Sequence, residues 1–319
     1  MSNEPAPVAV VIVSWNSAGY LDACLTSVLA LERPPAELLV VDAGSTDGSV
    51  DLVRSRYPGV RLVACDENVG FCRGNNLGFV RSRSPFVLAL NPDTRLEADF
   101  LERLLPAFAD PRVGIVGGKL LRFDESTLDS AGQLLARSRQ PVDRGYGEPD
   151  AGQFDRDGEV FGICGAAALY RRTMLESVAD PGGQYFDESF FAFVEDLDLA
   201  WRARRLGWRA LYCHRAVGYH ARGATAERPT VNRRASMLSR GAELRFHIVK
   251  NRYLAILRND RPRDYLRNLP FVLARDSATF LLLLASSPSV LARLLRERGR
   301  FREALRKRRL DAGRPGYQF

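Results

Sequence analysis

The sequence predicts a doubly wound α/β fold with a mostly parallel sheet and a C-terminal helical extension, and three observations carry that expectation. Short, nearly continuous apolar runs alternate with segments of helical periodicity through the first third of the chain. Polar clusters stand at the carboxyl ends of those runs, where open α/β sheets bind their ligands. From about residue 227 the pattern turns helical and Arg-rich, without turn-bounded strands.

Residues 8–13, 38–41, 60–64 and 86–90 are short, nearly continuous apolar runs rich in β-branched residues, and they read as strands buried on both faces of a parallel sheet. Between them, 18–30, 49–56, 71–81 and 98–108 have helical spacing, so the order reads β-α four times over. Residues 123–158 are rich in Gly, Asp and Arg with weak periodicity, which suggests a long loop or small hairpin close to a site. An apolar segment at 160–170 follows, then a helix after Arg171, a helix over 195–206 and a strand over 210–213. A boundary near Ala226 is expected to divide a domain of residues 1–226 from a basic helical region of 227–319.

The 319 residues, 46% hydrophobic and 26% charged, can bury a large core, and the composition excludes wholesale disorder. The net charge of +8 is uneven, with nine Lys/Arg against two Asp/Glu between Leu291 and Leu310. Leu291, Leu294, Leu295, Phe301 and Leu305 recur there at roughly helical spacing, so this stretch could lie on an anionic membrane surface or pack as a solvated charged helix on the core. Cys24, Cys65, Cys72, Cys164 and Cys213 are widely spaced without a CxxC pair and read as reduced thiols. The acidic, proline-bearing N-terminus lacks the basic start of a signal peptide, so the expected location is cytoplasmic, with peripheral contact at the inner face of the membrane. The apolar stretch at 269–285 is interrupted by Arg275 and Asp276 and falls short of the roughly 20 residues of a bilayer span, so no transmembrane helix is expected.

Four clusters point to chemistry. Asp42 closes a strand and opens Asp-Ala-Gly-Ser-Thr-Asp-Gly, where its carboxylate can accept a base N–H or ribose hydroxyl while Ser45 or Asp47 caps the next helix. Residues 68–78, with Asn68, Gly70, Arg73 and Asn75, open a helix after a strand, a placement that favours anions. They form neither a P-loop nor a dinucleotide fingerprint. Asn91-Pro92-Asp93 follows the fourth strand directly and offers a hard oxygen ligand to a divalent cation. Glu195, Asp196 and Asp198 follow a phenylalanine-rich segment, and one acid against an apolar wall can act as a general base; local features do not choose among the three. His220 ends a strand-like run and could return to the cleft as a metal ligand.

Taken together, Val-Ser-Trp-Asn at 13–16 (with Ser14 and Asn16), the Asp42 motif at 41–48, residues 68–78, Leu-Asn-Pro-Asp at 90–93, Cys-Gly-Ala-Ala at 164–167 and Glu-Asp-Leu-Asp at 195–198 resemble a family-2 glycosyltransferase of the GT-A fold, in its bacterial rhamnosyltransferase-like branch. The resemblance covers about residues 8 to 222. It implies a nucleotide-sugar-binding half (about 1–122) and an acceptor half (about 123–226). Ser14, Asn16, Asp42, Ser45, Asn68, Gly70, Arg73, Asn75, Asn91 and Asp93 would face the donor, with Asp42 on the nucleobase. Asp93 and His220 would hold Mg²⁺ or Mn²⁺, and Asp196 would be the catalytic base. Cys164, Gly165, Glu195 and Trp201 would lie on the acceptor side. Asn91 stands where the family carries the first acid of its Asp-x-Asp. The implied reaction is an inverting transfer from a dTDP- or UDP-sugar, with L-rhamnose as one donor sugar, to a glycan or lipid-linked acceptor in cell-surface polysaccharide synthesis.

Two other classes fit less well. A sugar nucleotidyltransferase resembles a loop with Lys or Arg after its first strand, and residues 14–19 have neither. A nucleic-acid-binding protein would interleave aromatic with basic residues, whereas here the charge sits in one tail and the aromatics in acidic or core contexts.

Overall fold

The computed structural model describes residues 4–222 and 241–318. In chain order its elements are β1 (Ala6–Ser14), α1 (Ala18–Leu29), β2 (Pro35–Asp42), α2 (Ser49–Arg56), β3 (Arg61–Ala64), α3 (Gly70–Arg81), β4 (Phe86–Leu90), β5 (Thr94–Leu96), α4 (Phe100–Leu104), β6 (Val113–Leu121), β7 (Leu128–Ser130), β8 (Gln133–Leu135), β9 (Pro141–Asp143), β10 (Gly158–Val160), β11 (Ala167–Arg171), α5 (Arg172–Val178), α6 (Glu195–Arg205) and β12 (Arg209–His220). Five helices follow: α7 (Ala242–Asn259), α8 (Pro262–Arg267), α9 (Leu269–Ser286), α10 (Pro288–Arg296) and α11 (Arg298–Ala312).

The main sheet runs β3-β2-β1-β4-β11-β6-β12-β10. Strands β3, β2, β1 and β4 are mutually parallel, and the buried apolar runs of β1, β4 and the second half of β2 fit a sheet covered on both faces. Beyond β4, β11 enters antiparallel to both β4 and β6, and β12 resumes parallel pairing with β6. One face of the sheet packs on α1, α2 and α4 through Leu21, Leu25, Val53 and Phe100. The other packs on α3, α5, α6 and α7 through Phe79, Met174, Leu197 and Leu254. Helix α3 lies directly on β1 because Gly74 and Gly78 face it; a Cβ at either would stand 2.6 or 2.3 Å from a Val13 or Val11 methyl.

Several elements depart from expectation. The helix anticipated over 98–108 is α4 followed by a 3₁₀ turn at Leu105–Ala109, because Pro106 cannot supply the next backbone donor. The fully buried β6 went unrecognised, since Gly114, Gly117 and Gly118 break its aliphatic pattern. The irregular segment 123–158 contains β7 and the β8–β9 hairpin. The strand over 210–213 extends to His220, with its register shifted between Cys213 and Val217. Helix α9 is the one described helix long and apolar enough to cross a membrane, with 18 residues of mean hydropathy 1.4. That corrects the expectation that its stretch is too short, because a span needs about 17–25 residues. The five cysteines are free, and the boundary near Ala226 lies outside the described residues.

One lysine of the basic C-terminal stretch joins a buried ion-pair cluster, while most of the stretch's side chains are exposed. Arg258 of α7, almost fully buried, pairs with Asp180, Asp187 and Asp311, and Lys307 of α11 reaches the first two at 3.0 and 2.9 Å. Helix α7 is thereby fixed to the segment that leads into α6.

Candidate active site

The carboxyl ends of β1 and β2 are locked together. Asn16, at a positive φ of 47°, accepts from the Thr46 amide at 2.8 Å, and its own amide donates to Ser45 Oγ at 2.9 Å. Asp47 accepts from Ala18 N at 2.8 Å and Ser49 N at 3.0 Å, so it serves the starts of α1 and α2. That leaves Asp42 for another task. Its Oδ1 accepts from Ser45 N at 2.8 Å, and its buried Oδ2 has no partner among the described residues, as is also true of Ser14 Oγ. A buried acceptor without a donor is costly unless a ligand supplies one.

The second cluster forms where β4 turns into β5. Strand β5 pairs with β12 in a register that sets His220 opposite Thr94, and this brings Asp93 Oδ1 within 3.3 Å of His220 Nε2. The other ring nitrogen, Nδ1, is 2.8 Å from Asp129 Oδ2. Burial alone would depress the imidazole, but Asp129 and Asp93 outweigh it and push it up to about 9. Asp129 is fully buried; burial opposes its charge, yet Arg222, His220 and Arg122 hold its carboxyl well below the usual range. The Asp93 carboxylate oxygen and the His220 imidazole, whose far nitrogen rests on a second carboxylate, are donor types that a divalent cation takes once the ring has released its proton, so the pair is compatible with Mg²⁺ or Mn²⁺. No third acid, histidine or cysteine joins them among the described residues, which leaves further positions to ligand oxygens. The Asn91 side chain lies 3.4 Å from Nε2 on the same side.

The third cluster separates the three acids of α6. Asp198 is fully buried and spent on Arg202 at 2.8 Å and Asn259 at 2.7 Å. Glu195 is turned inward; burial, reinforced by the neighbouring Asp196, pushes its carboxyl well above the usual range, and Oε2 has no partner among the described residues. Asp196 remains partly accessible. Its Oδ2 accepts from Gln133 Nε2 at 2.8 Å and Gly165 N at 2.9 Å, and its Oδ1 from Leu197 N at 2.7 Å. Burial raises this carboxyl and the Gly165 amide partly offsets the rise. Asp196 is joined to the start of the β4–β5 turn through two hydrogen bonds: Gly165 N donates to it, and the next residue, Ala166, accepts from Asn91 N at 2.8 Å.

The turn before α6 is strained. Phe191, Phe193 and Val194 have φ of 68°, 72° and 72°, a region that bulky and β-branched residues avoid. Helix α7 holds it there: Asn251 Nδ2 donates to the carbonyls of Phe190, Ala192 and Phe193 at 3.0, 2.7 and 2.7 Å, and Lys250 Nζ to Ser189 O at 2.7 Å.

Other anticipated residues have distinct placements. Asn68 Oδ1 accepts from Gly70 N at 2.9 Å and starts α3, where Gly70 has φ 74° and a Cβ would stand 2.5 Å from the Phe191 ring. Arg73 is exposed; Asn75 is buried with its Oδ1 unpartnered among the described residues. Cys164 precedes the Gly165 amide that serves Asp196. Trp201 is buried against Phe161. Sequence reasoning missed Gln133, Asp129 and Asn251. The first two lie in the irregular 123–158 segment, whose abundance of Asp and Gly near a site was the available signal; Asn251 had none.

Residues 9–179 match the model of the family described as glycosyl transferase family 2. An N-acetylglucosaminyl-diphospho-decaprenol L-rhamnosyltransferase from Mycobacterium tuberculosis is 31% identical over 247 residues, covering 69% of this chain and 78% of that protein. An N-acetylglucosaminyltransferase from Rhizobium meliloti is 30% identical across 68% of this chain and 52% of its own length. Among solved structures, Mannosyltransferase PcManGT from Pyrobaculum calidifontis, in complex with GDP-Man and Mn²⁺, superposes with a TM-score of 0.55 at 18% identity, covering 98% of this chain and 87% of that one. S. aureus TarS with UDP gives 0.53 at 17% identity, covering 83% and 69%.

Proposed function

The chain belongs to glycosyl transferase family 2, with the GT-A fold, and moves a sugar from a nucleotide-sugar to an acceptor; from that premise we propose an inverting, metal-dependent transferase of L-rhamnose from a dTDP donor to a glycan carried on a lipid diphosphate. The observation that carries the mechanism is Asp196, a partly accessible carboxylate held by Gln133 and Gly165 and joined through Ala166 to the start of the turn that carries Asp93. The donor and acceptor assignments draw on the name of the mycobacterial relative.

In this reading Asp42 Oδ2 accepts a nucleobase N–H, which removes the cost of its missing partner. Asp93 and His220 hold the cation, with Asp129 fixing the ring so that Nε2 faces it. When bound, Mg²⁺ or Mn²⁺ neutralises charge on the departing nucleotide diphosphate. Asp196 takes the acceptor hydroxyl's proton as that oxygen attacks the anomeric carbon from the face opposite the diphosphate. Its raised carboxyl makes it a stronger base than an ordinary aspartate, and the donors on Oδ2 hold it in place. Location at the inner face of the cell membrane and service in cell-envelope polysaccharide synthesis belong to the same reading.

Thermal-shift titration of the purified chain with dTDP-L-rhamnose, UDP-N-acetylglucosamine and GDP-mannose, with Mg²⁺, Mn²⁺ or EDTA, tests the donor and the metal. Stabilisation by dTDP-L-rhamnose that EDTA abolishes is expected. Equal stabilisation with and without EDTA removes the metal from the mechanism, and preference for another sugar nucleotide replaces the donor.

A further inference from the structure

A cavity of about 650 Å³ opens between the β8–β9 hairpin, the end of α6 and helix α8, away from the residues assigned to the donor. Arg137, Arg139, Arg204, Arg205, Arg261 and Arg267 line it against two acids, Asp260 and Asp264. Arg139 is neutralised by Asp260 at 2.5 Å and Arg204 by Glu159 at 3.2 Å. Arg261 and Arg267 form no ion pair among the described residues, and Arg261 Nε is shielded from solvent without a hydrogen-bond partner. Burial holds the Arg205 guanidinium below its usual range, and the charge of Arg261 adds to the effect. Cations packed together with too few acids mark a place that a multiply charged anion completes, and guanidinium forks match phosphate oxygens.

The cavity adjoins the catalytic acid on one side. Leu135 of its wall lies two residues from Gln133 on β8, so both project to the same face, and Phe161 N donates to Gln133 O at 3.0 Å. Its other side adjoins an apolar surface. Leu273, Phe280, Leu281 and Leu284 form an exposed stripe along α9, with Leu281 63% exposed, while Val272 and Leu283, about 100° round the helix, are buried. The stripe begins beside the cavity: Leu266, 64% exposed, precedes Arg267, and Arg137 lies 3.8 Å above the Phe271 ring. Exposed Arg263 and Arg267 flank it, as charge complementarity to anionic lipid requires.

We propose that this arginine cavity binds the diphosphate of the lipid-linked acceptor while the α9 stripe rests in the anionic bilayer that holds its hydrocarbon chain. The proposal rests on the acceptor reading above and adds the residues that select it. Because Val272 and Leu283 are packed into the protein, α9 lies along the bilayer surface and does not cross it.

The test uses the full chain and geranylgeranyl diphosphate as probe, in phosphatidylcholine vesicles with and without phosphatidylglycerol. Wild-type protein should float with the anionic vesicles and be released by carbonate. It should bind the prenyl diphosphate at least about tenfold more tightly than geranylgeraniol or inorganic diphosphate. Arg261→Ala/Arg267→Ala should lose that preference, and Leu281→Glu/Leu284→Glu should lose flotation, both with the sugar-nucleotide thermal shift intact. Equal binding of prenyl diphosphate by wild type and the arginine variant overturns the proposal, and so does equal affinity for inorganic diphosphate. Retention in the carbonate pellet overturns the surface orientation. The thermal shift with the sugar nucleotide reports separately on the underlying transferase reading.

Discussion

Asn251→Ala tests whether the C-terminal helices set the position of the catalytic acid. One amide group, fully buried on α7, donates to three carbonyls of the turn that precedes α6. It has two N–H bonds, so its loss removes the equivalent of two hydrogen bonds to buried acceptors, at about 1–2 kcal/mol each. The stability cost is therefore about 2–4 kcal/mol, which for a chain of this size lowers the melting temperature by about 3–6 °C. Three residues of that turn have positive φ at about 1–3 kcal/mol apiece, and without Asn251 this strain can relax. Asp196 follows two residues after Val194, so the relaxation moves its carboxylate, and a displacement of about 1 Å costs on the order of 100-fold in rate. Donor affinity should hold, because Asp42 ends β2 and Asp93 sits in the turn between β4 and β5, neither of which accepts a hydrogen bond from Asn251. The assay is kcat for sugar transfer beside the donor Kd from calorimetry, well below the variant's melting temperature. A lowered melting temperature with kcat within threefold of wild type would show that the turn matters for stability alone. An unchanged melting temperature would refute the hydrogen-bond argument itself.

Asp196→Asn should reduce transfer by about 10²–10⁴ while calorimetric donor affinity stays the same. Because a base works only when ionised and burial raises Asp196, wild-type kcat/KM should fall with acid at a pH above the roughly 3.9 of a free aspartate, and the variant's residual activity should lack that limb. Asp129→Asn should weaken metal affinity about 10–100-fold by freeing His220 Nδ1, with metal-free nucleotide binding unchanged; equal metal affinity by titration would remove Asp129 from the site. Arg258→Met should cost about 3–5 kcal/mol in urea unfolding, since Asp180, Asp187 and Asp311 lose their shared buried cation. Asp180 is held well below the usual carboxylate range by Arg258 and its neighbours against the opposing effect of burial. Its contribution is thus complete above its unfolded pKa and lost as the pH falls, and the variant's stability should be correspondingly less steep in acid.

The parallel half of the sheet was legible because β1, β2 and β4 are buried on both faces and tolerate little besides aliphatic residues. Asp42 and Asn91-Pro92-Asp93 were legible for a related reason: polar residues directly after such strands stand at the sheet's carboxyl edge. Strand β6 was not, since three glycines make room for Met174, Ile163 and Phe100 and erase its periodicity. Among the acids of α6, spacing gave no choice, because the difference lies in partners brought from far along the chain: Asn259 to Asp198, and Gln133 to Asp196. The resemblance singled out Asp196, and its environment supplies a physical reason for that assignment. Asn251 could not be foreseen, as its role consists wholly of carbonyls about 60 residues away.

His220 is the last residue of the last described strand, and its partner Asp93 lies in the turn between β4 and β5. The pair exists only after β12 has seated beside β6 and β5, a pairing across a long separation in sequence. Under the proposed function, a cation held by Asp93 and His220 binds only chains whose β5–β12 edge is closed, so its binding energy stabilises that closure. Hydrogen exchange at this edge should then be slower in occupied copies than in unoccupied ones.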